Sequence, residues 1–494
     1  MILLLAFTLA LGHGGGVTDM ALLLTAGAAG LYLALNIGAN DAANHVGILV
    51  GAGALSLGSA LMLAVGGELS GALMAGAEVT MRLRQQLLHR EALEAGGNLI
   101  TVLLAGMLAA GLWLHIAVLA RVPISTTHTI VGGLVGAGIA AGGLQVVQWG
   151  NIQSIAIVWL ISPVLGAATS ALTLVIIERS LAYRSNLIGT ARTRVPLLAA
   201  LLALLLSGHF FNSLAPPQWL VSQRPLLAAL SVAVGTFLLT QPLIYSASQN
   251  QRNNRKGLNR LLTAPLIVVG FFFAFAHGAN DVANVSAPLT ELVLAASRSS
   301  DTGLSTVPVW PFALGAIGIV IGMAAYGHRV IHTVGKGITK LDQIRAFSVA
   351  LSAVAVITIA NEFGFPVSTT HILVGAILGV GLTQEWNQRH DEELLARIRA
   401  CFGPSQAEEQ KRFEQRYEGA TRARRAEMLE RLFRDCKNAG LDQKQLDKLR
   451  ADHRLLIQPR RVGLIVLFWI GTLPVAGLLG AGIARITPHL LVIQ

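Results

Sequence analysis

The chain has 494 residues, of which 53% are apolar and only 13% charged, with 52 glycines and a mean hydropathy of +0.61. Soluble domains carry roughly 25% charge and about 7% glycine. The composition therefore excludes a water-soluble enzyme, a disordered chain and a collagen-like or disulfide-scaffold protein, and leaves a polytopic membrane protein. In such a chain the net charge of +11 marks cytoplasmic loops and anionic headgroups, not nucleic acid.

Residues 1–19 read as an N-terminal lead-in. The stretch 1–11 is apolar apart from Thr8 but lacks the positive start of a secretory signal, and whether it is cleaved is left open. A bilayer span needs about 20 apolar residues. The chain offers twelve such segments, near 20–50, 52–77, 98–120, 124–142, 152–178, 196–212, 225–248, 262–297, 308–328, 346–363, 366–383 and 462–484. The first and eighth are too long for a straight crossing and are expected to be broken or strongly tilted. Between the last two lies a charged insertion, 384–461, with 18 of the 37 Lys and Arg and 14 of the 26 Asp and Glu. Its leucines and aromatics at helical spacing, as in 426–433, predict amphipathic helices packed on each other or on a partner. It also holds both cysteines, Cys401 and Cys436, which a reducing cytosol would keep as free thiols. With one crossing per segment and the end of the first segment inside, the short inside loops hold 13 Lys and Arg against 6 outside. That orientation puts both termini outside and the insertion in the cytoplasm.

The chain repeats itself. Gly38-Ala39-Asn40-Asp41-Ala42-Ala43-Asn44 recurs as Gly278-Ala279-Asn280-Asp281-Val282-Ala283-Asn284, and Pro123-Ile124-Ser125-Thr126-Thr127-His128 as Pro366-Val367-Ser368-Thr369-Thr370-His371. The offsets, 240 and 243 residues, nearly agree. Residues 20–178 form repeat 1, 179–261 two linker helices, and 262–383 with 462–494 repeat 2. Each repeat has five segments, an odd number, and the linker pair returns the chain to the same side. The second repeat therefore enters the membrane in the opposite sense. The predicted fold is an all-α membrane protein of about twelve segments in two inverted five-segment repeats. Inverted repeats with interrupted segments at matching positions are the sequence sign of an alternating-access transporter with its site near the midplane.

The repeated residues define the chemistry. A carboxylate inside an apolar segment costs about 2.5 to 3.5 kcal/mol on insertion scales and is kept where it faces a cavity, a partner or an ion. Asp41 and Asp281 are each flanked by Asn at positions minus one and plus three, and the plus-three amide shares the aspartate's helix face. Asn40, Asp41, Asn44, Asn280, Asp281 and Asn284 thus offer hard oxygen ligands suited to sodium, joined by backbone carbonyls if the helices unwind at Gly38 and Gly278. The plainer alternative is a buried aspartate capping its own turn. In the second motif, proline ends the preceding structure, Ser or Thr can cap a new helix, and unpaired N–H groups and hydroxyls form an anion cradle, the plainer alternative being an N-cap after a loop. The candidate oxyanion ligands are Ser125, Thr126, Thr127, Ser368, Thr369 and Thr370. His128 and His371 either donate to the anion or are satisfied within their own turn. Glu78, Arg121, Arg329 and Glu362 sit at segment ends and are assigned no transport role. No nucleotide-binding motif or covalent catalytic set appears, so no enzyme is expected.

With both motif pairs present, the chain resembles the inorganic phosphate transporter family, the cation-coupled symporters called PiT permeases. The resemblance covers nearly the whole membrane part, including Trp469-Ile470-Gly471-Thr472-Leu473-Pro474. It implies sodium at Asn40, Asp41, Asn280 and Asp281, phosphate among the two Ser-Thr-Thr clusters, outward termini, and partly re-entrant Ser-Thr-Thr-His segments. The insertion at 384–461 departs from it, since eukaryotic relatives carry their large loop between the halves. The expected function is import of inorganic phosphate with a cation, sodium first, by alternating access in the plasma (inner) membrane. Proton or metal-phosphate symport and sulfate transport are the alternatives. Expected partners are phosphate, sodium (or protons) and the lipid bilayer, with no cofactor and no nucleic acid; a homodimer is left open.

Overall fold

The computed structural model describes residues 18–182, 184, 186–213, 225–296, 308–335, 341–402, 406–419, 427–429, 431–432 and 459–490. Most of the lead-in and most of 420–458, Cys436 included, lie outside the described residues. Within them the chain is helical, with a lone bridge between Leu88 and Val147 in place of any strand. The first half contains α1 (Thr18–Gly51), α2 (Leu57–Ala75), α3 (Ala77–Gln86), α4 (Arg90–Ala95), α5 (Leu99–Ala120), α6 (Thr126–Gly142) and α7 (Trp149–Ile177). The linker helices are α8 (Leu187–Ser213) and α9 (Pro225–Gln249). The second half contains α10 (Arg255–Asp281), α11 (Ala283–Ala296), α12 (Trp310–Tyr326), α13 (His328–Gly335), α14 (Gln343–Glu362) and α15 (Thr369–Ala400). After α16 (Ala407–Gly419) the chain closes with α17 (Pro459–Leu490).

Among the described residues, nine helical stretches are long and apolar enough to cross a membrane. The three other predicted segments lie on α6, α12 and the start of α15. The first two have 17 residues each, about 25 Å of helix against a hydrocarbon core of about 30 Å. Of the two outcomes expected for the first segment, a break or a strong tilt, the break is absent, since α1 runs continuously for 34 residues. The eighth segment is interrupted, at Val282 between α10 and α11 instead of at Gly278.

The halves exchange partners. Helix α2 packs on α10 and α12 on α1, while α6 packs on α17 and α15 on α7, so each of these contacts joins one repeat to the other. Small residues make the approach close: a Cβ on Gly136 would lie 2.0 Å from the Gly477 carbonyl oxygen, and one on Gly375 2.1 Å from that of Pro163. Lipid is as apolar as leucine, so backbone-to-backbone packing of this kind supplies association that hydrophobicity cannot. The linker helices α8 and α9 pair with each other at the edge. The space of about 620 Å³ that they enclose with α10 is apolar, lined by residues such as Leu202, Leu206 and Phe272, and holds no motif residue.

Helix α15 continues past residue 383 into the insertion and turns back through α16, with Phe402 and Phe413 rings 5.8 Å apart and Arg399 donating to Glu414 at 3.0 Å. Among the described residues of the insertion these two helices pack on each other. Cys401 corrects the free-thiol expectation, because it is disulfide-bonded. Cysteine content alone does not report whether a given thiol is paired.

Candidate functional site

The four motif copies meet in one buried place. Asp41 sits on α1 and accepts at Oδ1 from Asn40 (2.8 Å), from Asn44 (3.2 Å) and from the Thr370 hydroxyl of α15 (3.0 Å). The Asn44 amide also reaches Thr370, at 3.3 Å. Asp281, the last residue of α10, accepts at Oδ2 from the Thr126 hydroxyl of α6 at 3.0 Å. Each aspartate is therefore bonded to the Ser-Thr-Thr cluster of the opposite half. Asp41, Asn44, Asn280 and Asp281 are at most 1% exposed, yet Asp41 Oδ2, Asn44 Oδ1, Asn280 Oδ1 and Asp281 Oδ1 have no hydrogen-bond partner among the described residues. Orphaned buried oxygens are costly unless something positive faces them.

The two asparagines at position minus one act as clamps. Asn40 donates to the Ile124 carbonyl at 2.8 Å and accepts from the Ile124 N–H at 3.2 Å, fixing the peptide that leads into α6. Asn280 donates to Asn361 at 2.6 Å and to the Phe365 carbonyl at 3.4 Å, ahead of α15. Backbone carbonyls are not freed by unwinding at the motif glycines. Gly38 and Gly278 serve packing instead: a Cβ at Gly38 would lie 1.8 Å from the Ile319 carbonyl oxygen, and one at Gly278 2.4 Å from that of Glu68. The glycines admit a neighbouring backbone, so the helix needs no break there.

Helices α6 and α15 begin alike. Ser125 and Ser368 are their N-caps and accept from the N–H of His128 and His371. The first-turn N–H groups of Thr126, Thr127, Thr369 and Thr370 have no intrahelical acceptor, and both helix dipoles present their positive ends to the site. Thr127 donates across to the Val367 carbonyl at 2.9 Å and Thr370 to the matching Ile124 carbonyl at 3.4 Å, a reciprocal lock between the two entry loops. The Thr369 hydroxyl is buried without a partner among the described residues. His128 is satisfied within its own turn, 2.6 Å from Ser125 Oγ and stacked on Trp159. His371 lies against Trp469, 4.6 Å from His128 between ring centres, with Nε2 unpartnered. Asn284 is buried on α11 with its Nδ2 unpartnered, and nothing shows it reaching Asp281 as Asn44 reaches Asp41.

Reading by motif missed Glu68 and His277. Glu68 is buried in the middle of α2, and its Oε1 lies 2.7 Å from His277 Nδ1; His277 Nε2 lies 3.4 Å from Asp281 and 3.8 Å from Asp41. The signal was in the sequence. Glu68 is an acid inside an apolar segment, the criterion that singled out Asp41, and His277 precedes Asp281 by one helical turn.

Comparison with known proteins identifies the family. The profile of the Phosphate transporter family matches residues 37–480. Two Helicobacter pylori proteins named as phosphate permeases are each 36% identical over 489 residues, covering 96% of this chain and 92% of theirs. One from Pyrococcus abyssi is 36% identical over 355 residues, 72% of this chain and 87% of its own. A solved structure titled the sodium-dependent phosphate transporter aligns with a TM-score of 0.73 at 25% identity, over 95% of this chain and all of that one. An all-helical membrane fold, two convergent motif pairs and a match over most of the sequence lead to one conclusion: the chain belongs to the Phosphate transporter family and is a multi-pass phosphate transporter, not an enzyme.

Proposed function

We propose that the protein is a sodium-coupled phosphate symporter working by alternating access between its two interlocked halves. The observation that carries this reading is that each buried aspartate accepts from a hydroxyl of the opposite half's anion cradle at one carboxylate oxygen, while its other oxygen has no hydrogen-bond partner among the described residues. Sodium ions are held by Asp41 with Asn40 and Asn44, and by Asp281 with Asn280 and Asn284. Phosphate lies between the N-termini of α6 and α15, among Ser125, Thr126, Thr127, Ser368, Thr369 and Thr370, with His128 and His371 at its edge.

Coupling follows from shared hydroxyls. Thr370 and Thr126 donate to the aspartates; a cation on a carboxylate competes for its lone pairs and leaves the hydroxyl to turn toward phosphate. The cation also removes the negative charge that would repel the anion. If two sodium ions accompany monovalent phosphate, one net charge moves inward, driven by about 2.3 kcal/mol per 100 mV of inside-negative potential. Such a carrier sits in the plasma (inner) membrane with both termini outside and the insertion in the cytoplasm. Proteoliposomes loaded under imposed sodium or proton gradients test the cation, and unlabelled sulfate competing with radiolabelled phosphate tests the anion. Uptake that ignores sodium and follows a proton gradient would overturn the sodium assignment.

A further inference from the structure

One cluster of ligand-type side chains extends beyond the residues assigned to sodium and phosphate. His45 on α1, Glu68 on α2 and His277 on α10 are each at most 2% exposed. His45 Nε2 is 3.5 Å and His277 Nδ1 2.7 Å from the same Glu68 oxygen, Oε1, and one ligand atom from each residue lies within 4.8 Å of the others. Met323 on α12 brings its thioether sulfur to 3.4 Å from His45 Nε2. Glu68 Oε2 and His45 Nδ1 have no hydrogen-bond partner among the described residues. A plain Glu68–His277 ion pair explains two of the four side chains. It leaves His45 and Met323 unexplained.

We propose that His45, Glu68 and His277, with Met323 as a weak fourth donor, form a binding site for a borderline-soft divalent cation of the zinc class. Two imidazole nitrogens, one carboxylate and a thioether are a donor set for zinc-class ions, whereas sodium, magnesium and calcium favour oxygen alone. Bonds of about 2.1 Å in a tetrahedron put ligand atoms about 3.4 Å apart, close to the spacings from Glu68 to His45 and from His45 to Met323. The other nitrogen of His277 faces the Asp281 carboxylate at 3.4 Å, the outer carboxylate–histidine arrangement that orients a metal-binding imidazole. The donors come from both halves, two from each. A bound ion therefore ties α1 and α2 to α10 and α12 and adds two positive charges beside Asp41 and Asp281, so it inhibits uptake. That inhibition rests on the transport reading; the binding itself does not.

The test uses the full chain, purified in detergent, stripped with chelator and free of sodium and phosphate, with zinc alone as probe against a competing chelator dye. Wild type binds one equivalent that His45→Gln weakens by about tenfold or more, and Met323→Leu weakens it less. Both variants keep the wild-type elution profile, and either one alone suffices if the other misfolds. No competitive binding by wild type, or equal affinity in wild type and both variants, overturns the site. In proteoliposomes, His45→Gln keeps sodium-driven phosphate uptake and loses its inhibition by zinc; inhibition unchanged in that variant overturns the regulatory part. Absence of sodium-driven uptake in wild type would strike the transport reading while leaving the binding result readable.

Discussion

In the first half of the molecule Asp41 receives three side-chain hydrogen bonds, from Asn40, Asn44 and Thr370. In the second half, among the described residues, Asp281 receives one, from Thr126, and faces the imidazole of His277. The residue that corresponds to His277 at the 240-residue offset is Ile37, which is fully buried in apolar surroundings. The backbone differs as well, continuous through Asp41 in α1 but interrupted after Asp281. Sequence symmetry has therefore produced two acids of unequal surroundings. One is held by a fixed amide and hydroxyl cage, the other by a single hydroxyl and a histidine that also serves Glu68. The two proposed cation sites should differ in affinity, with the Asp281 side more open to rearrangement.

The largest expected effect comes from removing either charge. Asp41→Asn and Asp281→Asn each reduce sodium-dependent phosphate uptake to the level of protein-free liposomes while the protein still inserts. A variant that kept wild-type sodium dependence would remove its half from the cation assignment. Next comes copying the first half into the second with His277→Ile. It takes from the buried Glu68 carboxylate its nearer partner, leaving His45 at 3.5 Å, and destabilises the fold by about 3 to 5 kcal/mol. Thermal unfolding in detergent should show the loss, and adding Glu68→Gln should recover part of it.

The packing glycines separate the halves more finely. Gly38→Ala and Gly278→Ala force overpacking worth about 1 to 3 kcal/mol, with Gly38 the worse because its approach is 1.8 Å against 2.4 Å. Thr126→Val removes the Thr126 hydroxyl bond to Asp281, the one side-chain hydrogen bond it accepts among the described residues, whereas Thr370→Val leaves Asp41 with those from Asn40 and Asn44. An unfolding comparison should place Thr126→Val near 1 to 3 kcal/mol and Thr370→Val below it. The smallest change is expected outside both halves: the Arg399 side chain is 58% exposed in its pair with Glu414. Arg399→Ala should alter stability by no more than about 1 kcal/mol and leave uptake unchanged.

Much of this was legible before any coordinates. Low charge and high hydropathy require a membrane protein, because transfer energies are properties of side chains taken one at a time. The duplicated Gly-Ala-Asn-Asp and Ser-Thr-Thr-His strings named the acids, amides and hydroxyls, and local rules of capping offered Ser or Thr as the N-cap of each helix, of which the structure uses Ser125 and Ser368. The same local rules misjudged Gly38, where glycine answers to a helix from the other repeat instead of its own backbone. They read Cys401 as a free thiol, which it is not, and were silent on the meeting of Glu68, His45 and His277. Thr370 and Asp41 are 329 residues apart in the chain, and Thr126 and Asp281 155. Periodicity and motif spacing fix what each segment is and which face it hides. Which Thr reaches which Asp depends on how the two repeats exchange helices, and that is set by contacts between surfaces that no local stretch of sequence contains.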